Sequence, residues 1–283
     1  VMMIEKILRS VQHVPAFPIT IQKVTALLQD ENFSVPEVTS IIRYDQAITA
    51  NILRMCNSAY FGVRFRIGTL EEAVMFLGKE NIITAVQISG VSRFFKKAAK
   101  GYVLQANDLW IHSVSVALMS QILFTRIYQK EQPVLYTAAL LHDVGKVILG
   151  EYVHESFAQI MGMVYREGCS FVEAEERLFG INHAAIGGKI AERWNFPEEI
   201  TTAIAFHHRP DLTGDNEAIF PWLVYLADQI CSMTGVGGGQ DGLAYRAVNE
   251  AAKKFQLRDK DIEACMVQLF GAMEKAKELM AIV

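Results

Sequence analysis

The stretch Tyr136–Leu149, YTAALLHDVGKVIL, sets a His-Asp pair in the middle of an apolar run. Its apolar residues recur at spacings of three and four, the period of a helix rather than the period of two expected for a strand. The same spacing recurs on both sides. Upstream, Ile21, Val24, Leu27 and Leu28 predict a first helix, Val35–Arg43 a second with Ser34 as N-cap, and Gln46–Asn57 a third. Thr69, with Glu72 three residues later, predicts a capping box opening a helix that Gly78 ends, and another helix is expected over 80–99. Downstream, helices are expected at about 108–129, 134–149, 152–167, 170–179, 183–194, 197–207, 217–233, 243–256 and 259–280. Gly101, Gly168 and Gly180, with Pro133, Pro197 and Pro210, punctuate them. Nothing reads as strand-rich, so the expected fold class is all-α.

Length and composition narrow the function. At 283 residues the chain lies near the roughly 250–300 residues at which one core stops growing, which predicts sub-domains. The expected boundaries are 1–101 for an N-terminal helical sub-domain, 102–234 for the part holding the His-Asp pair, and 235–283 for a GVGGG linker and helical tail. Hydrophobic residues at 51% against charged residues at 20% exclude a disordered chain. No apolar run reaches the roughly 18 residues of a membrane span, so no membrane is expected as a partner. Glu5 and Lys6 break the N-terminal VMMIEKILRS, so no secretory leader is expected there. Cys56, Cys169, Cys231 and Cys265 form no CxxC pair, which argues against disulfides and fits a cytoplasmic location. Residues 1–101 carry 12 Lys+Arg against 8 Asp+Glu, an excess too small for a phosphate-backbone surface. No DNA is therefore expected as a partner, and the cluster Arg93, Lys96, Lys97 and Lys100 reads as a solvated helix end.

The chemistry lies in a set. Five of seven histidines fall in the order His112, His142-Asp143, His183, His207-His208, and Asp228 follows. Asp228 is the single charge between Ile219 and Met233. It is either a solvent-facing position on an amphipathic helix or a buried carboxylate, and burial costs several kcal/mol unless the group is paired or bound to metal. Imidazole and carboxylate together suit iron, zinc, manganese or nickel. Separate helices could deliver these side chains to one place. A carboxylate can bridge two cations, and Asp143 is placed to do so. One ion would take His112, His142, Asp143 and Asp228; the second would share Asp143 and take His183, His207 and His208. Two divalent transition-metal ions are expected, iron or manganese first and zinc or nickel next. Such a pair activates water and clamps a phosphoryl group.

The order H…HD…D resembles the HD superfamily of metal-dependent phosphohydrolases. LLHDVGK followed by His183 and His207-His208 resembles its HD-GYP branch. DQAITANILRMCNSAYFG (45–62), followed by IGTLEEAVMFLGKENI (67–82), is similar to the HDOD domain. That resemblance covers about residues 12–210. It implies an HD-type multi-helical bundle with an N-terminal helical sub-domain and a role in bacterial signalling. Many HDOD proteins have lost metal ligands, whereas here every position of a two-metal site is filled. No GYP triplet follows His208, so efficient hydrolysis of cyclic di-GMP is not expected. By the same resemblance Lys146 matches a lysine near the substrate phosphate, with a surface lysine as the plainer alternative. Asp108 matches an occasional third-metal ligand, with a helix-start Asp as the plainer alternative. His13 and His154 have no matching role. The expectation is a signalling protein hydrolysing a phosphate ester or phosphodiester, with Asp143 and Lys146 catalytic. The alternative is a non-catalytic module whose metals are structural. The expected partner is accordingly a phosphate-containing small molecule or a signalling protein.

Overall fold

The computed structural model describes residues 2–28, 33–58, 66–95, 102, 108–130, 132–213, 218–235 and 248–282. Among these, every regular element is helical: α1 (Met2–Val11), α2 (Ile19–Leu27), α3 (Val35–Ile42), α4 (Gln46–Cys56), α5 (Leu70–Phe95), α6 (Asp108–Tyr128), α7 (Pro133–Leu141), α8 (Lys146–Glu167), α9 (Phe171–Phe179), α10 (His183–Arg193), α11 (Glu198–Phe206), a 3-10 turn (Pro210–Thr213), α12 (Ile219–Met233), α13 (Val248–Lys254) and α14 (Asp259–Ile282). The all-α expectation holds. No helix among the described residues is long and apolar enough to cross a membrane. The four cysteines are buried and free. Lys96, Lys97, Lys100, residues 236–239 of the expected linker and residues 59–62 of the N-S-A-Y-F-G run lie outside the described residues.

The chain divides into two compact units, 1–15 with 94–271, and 16–93 with 272–283. The boundaries expected from sequence were instead 101 and 234.

In the smaller unit, local capping sets the helix starts. Ser34 caps α3 and Glu37 returns a bond to the Ser34 N–H, with Pro36 in the first turn. Thr69 and Glu72 form the expected box at the start of α5. Gly78 breaks α5 internally with φ 71° and ψ 176°, a backbone open to glycine and costly for other residues. Asn57 ties the end of α4 to Ile67: its side-chain amide donates to the Leu53 and Ile67 carbonyls and its Oδ1 accepts from the Ile67 N–H. Ile21, Val24, Val38, Ile42, Ile48 and Ile52 are fully or almost fully buried. Such side chains each contribute about 1.5–3 kcal/mol relative to exposure.

In the larger unit, α6, α7, α11 and α12 pack against one another, α10 lies on α11, and α8 packs on α9 and α10. Two sequence expectations are corrected here. The spans 134–149 and 152–167 were expected as separate helices, but the break falls at 142–145 and α8 runs unbroken from Lys146 to Glu167. The turn at that break lies in close contact with α10. A Cβ on Gly145 would lie 1.9 Å from the His183 carbonyl oxygen and 2.8 Å from the Gly187 nitrogen, so the HD turn rests directly on the backbone of α10. The second correction is α1, where no helix was expected.

Candidate metal centre

Each functional side chain is delivered by a different part of the larger unit. His112 comes from the second turn of α6 and Asp228 from the middle of α12. His142 and Asp143 sit in the turn after α7, and Lys146 is the first residue of α8. His183 opens α10, where the Asn182 side chain accepts from the Ala185 N–H and sets the helix start. His207 and His208 follow α11 directly.

Asp143 is the centre of the arrangement. It is 1% exposed, and its two oxygens face different neighbours. Oδ2 lies 3.3 Å from His142 Nε2 and 3.9 Å from His112 Nε2. Oδ1 lies 3.3 Å from His183 Nε2 and 3.8 Å from His207 Nε2. His112 Nε2 is 2.9 Å from Asp228 Oδ1, and His183 Nε2 is 2.9 Å from His208 Nε2. The donor atoms fall into two groups that share Asp143: His112 with His142, and His183 with His207 and His208.

Whether these residues fit a cation is decided by their unsatisfied atoms. His142 Nδ1 donates to the Ala139 carbonyl at 2.7 Å, and His207 Nδ1 to the Ile204 carbonyl at 2.7 Å. In the neutral rings those bonds leave each Nε2 as a lone pair aimed at Asp143, and both Nε2 atoms are buried without a partner, as is Asp143 Oδ1. A buried acceptor left unpaired costs about 1–3 kcal/mol. Two imidazole Nε2 atoms facing each other at 2.9 Å need either a shared proton or a cation between ligands. The donor set therefore fits divalent metal.

The electrostatics keep both carboxylates charged and divide the histidines. Burial would raise the Asp143 carboxyl, but His142 and Lys146 outweigh it and hold the group well below the usual carboxylate range. Asp228 is likewise held low, since the bond and charge of His112 overcome burial. Burial, then neighbouring His208 and His142, keep His207 neutral. Burial and His183 push His208 down to about 3. His183 goes the other way, to about 9, because Glu175 and Asp143 outweigh burial.

The structure brings six of the candidate ligands, His112, His142, Asp143, His183, His207 and His208, into the two groups that share Asp143, and Asp228 joins them through its contact with His112 Nε2. It buries Asp228 at 6% exposure, so the solvent-facing alternative for this residue is set aside. Lys146 is buried as well; its ammonium donates to Asp143 Oδ2 at 2.7 Å and lies 5.3 Å from the centre of the Tyr102 ring. The surface-lysine alternative is thereby corrected. Asp108 occupies the first turn of α6. His13 bonds the Arg9 carbonyl in an exposed position.

One residue of the site went unread in the sequence. Glu175 is fully buried, and its Oε2 accepts from both the ring Nδ1 and the backbone N–H of His183, at 2.7 and 3.0 Å. Its Oε1 accepts from the Tyr102 hydroxyl at 2.7 Å. The spacing Phe171, Glu175, Phe179 places it at four-residue intervals on the apolar face of α9. That position was the available signal.

Comparison with known proteins agrees with this fold. A Geobacter sulfurreducens HDOD domain protein of unknown function matches with TM-score 0.75 and 24% identity, over 99% of this chain and 96% of that one. A Shewanella amazonensis protein named "Putative phosphohydrolase" matches with TM-score 0.70 and 22% identity, over 96% and 97%. An uncharacterized protein of Treponema pallidum is 23% identical over 206 residues, which span 70% of this chain and 38% of that protein. The sequence profile of the HDOD domain matches residues 14–210, well over half of the chain. The chain belongs to the HDOD domain family.

Proposed function

We propose that this protein is a signalling HDOD protein that holds two divalent metal ions and hydrolyses a phosphate ester or phosphodiester. The observation that carries the reading is the division of Asp143, whose Oδ2 faces His112 and His142 and whose Oδ1 faces His183 and His207. Asp143 would bridge, His112, His142 and Asp228 would complete one site, and His183, His207 and His208 the other. Iron or manganese is the expected occupant, with zinc or nickel also matching the ligands. Ions held there supply Lewis acidity and an activated water.

The chain's own residues then do the rest. The carbonyls of Ala139 and Ile204 fix the tautomers of His142 and His207, so their Nε2 lone pairs stay aimed inward. The Lys146 ammonium lies beside the bridging carboxylate and is positioned to neutralise a phosphoryl oxygen. The names of related proteins, among them a phosphohydrolase assignment, agree with this class of reaction. The GYP-less sequence after His208 argues against cyclic di-GMP as the substrate.

A second reading is a binding module with structural metals. The observation in its favour is the burial of the ligands, all below 9% exposure except His208. The test is a screen of metal-loaded protein against phosphomonoesters, nucleotides and cyclic dinucleotides, with Asp143→Asn as control. Hydrolysis that Asp143→Asn abolishes supports the enzyme. A metal-loaded wild type inert toward the whole set supports the module, and cyclic di-GMP turnover on the order of 1 per second or more contradicts the exclusion of that substrate.

A further inference from the structure

Of the three site-histidine Nδ1 atoms with described partners, those of His142 and His207 meet backbone carbonyls, while that of His183 meets a carboxylate. The difference has chemical weight. A carbonyl fixes a tautomer; a carboxylate fixes it and also pushes electron density onto the opposite nitrogen, making that nitrogen a stronger donor to metal. Glu175 is built for the task. It sits fully buried on the apolar face of α9, a place that a carboxyl group tolerates only when it is hydrogen-bonded. It receives the His183 ring N–H, the His183 backbone N–H and the Tyr102 hydroxyl. The backbone bond and the ring bond go to the same Oε2, so the carboxylate holds the first residue of α10 and its imidazole as one unit. The Tyr102 ring also stands edge-on to His183 at 6.2 Å.

We propose that Glu175, held by Tyr102, is a positioning residue that orients His183 and raises its strength as a ligand, so that the ion shared by Asp143, His183, His207 and His208 binds more tightly than its neighbour. The proposal rests on the two-metal reading above and adds an inequality between the two sites. His112 shows the contrast on the other side: its Nδ1 is buried with no partner. One half of the centre thus has an anionic support behind a ligand, and the first ligand of the other half has none.

The test is titration of metal-free protein with cobalt(II), followed by calorimetry and by the visible absorption of the bound ion, neither of which depends on turnover. Wild type should bind in two resolved steps. Glu175→Gln keeps the shape and removes the charge. It should weaken the tighter step by about 10–100-fold, the usual cost of losing such a support, and leave the weaker step unchanged. His183→Ala should remove the same step, which identifies it. Tyr102→Phe should weaken that step less. The metal-free melting temperature of Glu175→Gln should stay near wild type; if this variant does not fold, Tyr102→Phe decides. Wild-type affinity at both steps in Glu175→Gln or, failing that variant, in Tyr102→Phe would overturn the proposal, as would an equal loss at both steps. A wild type that binds two ions while the variants behave normally leaves the metal reading intact and removes only this inference. A wild type that takes up no cobalt removes both.

Discussion

At the residue scale, Lys146 offers a test that separates metal binding from phosphate binding. Its ammonium occupies Asp143 Oδ2, the oxygen that also faces His112 and His142. Removing it takes away a competitor for that oxygen, so Lys146→Ala should bind metal at least as well as wild type. Phosphate binding to the loaded protein should fall by about 1.5–3 kcal/mol, tenfold to a hundredfold, the worth of a charged hydrogen bond. Metal analysis beside phosphate titration checks this, and loss of metal in the variant would show that the lysine supports the site rather than the substrate. The candidate ligands were legible in sequence because each is a polar group set in or beside an apolar stretch, and such groups demand partners. Glu175 was not read because it lies among Glu173, Glu176 and Arg177, where a charged helix face is the ordinary expectation. Only its register with Phe171 and Phe179 gave it away.

At the scale of elements, the HD turn depends on what is missing from it. Gly145 has no Cβ, and one would meet the His183 carbonyl at 1.9 Å. Because the obstacle is backbone, it cannot swing aside. Gly145→Ala should destabilise the protein by at least the roughly 1–3 kcal/mol typical of overpacking, and should lower metal content by pushing the HD pair off α10. Denaturant unfolding and metal analysis read the two effects; a variant with wild-type values in both would contradict the close approach. This turn also explains why the helix boundary was misplaced. The apolar spacing runs through residues 142–145 without interruption, and the close approach of the turn to residue 183 lies far along the chain.

A second element-scale prediction concerns α14. Asp261 accepts from Arg126 of α6 at 2.5 Å and from the Arg258 N–H and guanidinium at 3.0 and 3.1 Å. The Arg126 bond first, then those from Arg258, hold its carboxyl below the usual range. A lowered folded value means the contribution is full above the unfolded value, near pH 4, and fades as pH falls through the folded one. Asp261→Asn should therefore be less stable than wild type at pH 6, with the difference shrinking only below about pH 4. A difference independent of pH down to strong acid would show that the ion pairs contribute nothing.

At the scale of the molecule, the all-helical class was readable from period alone, since three-and-four spacing recurs along nearly the whole chain. The grouping of elements was not. Residues 1–15 belong with 94–271, while 16–93 join the C-terminal residues 272–283. Periodicity reports which face of a helix is buried and carries no information about which helix covers it. Residues 1–11 show the same limit: Ile7 and Val11 are buried on a helix that the sequence reading did not include.

The central claim is that this fold assembles a two-metal site around Asp143, and metal content tests it most directly. Protein purified without chelator should contain close to two transition-metal ions per chain by elemental analysis, and Asp143→Asn should retain neither fully. Because ions that bind only the folded state stabilise it, by about 2.7 kcal/mol at a hundredfold excess over Kd, chelator should lower the melting temperature and added manganese(II) or iron(II) should restore it. A wild-type protein that is metal-free as purified, and whose melting is unchanged by chelator and by either ion, would contradict the account.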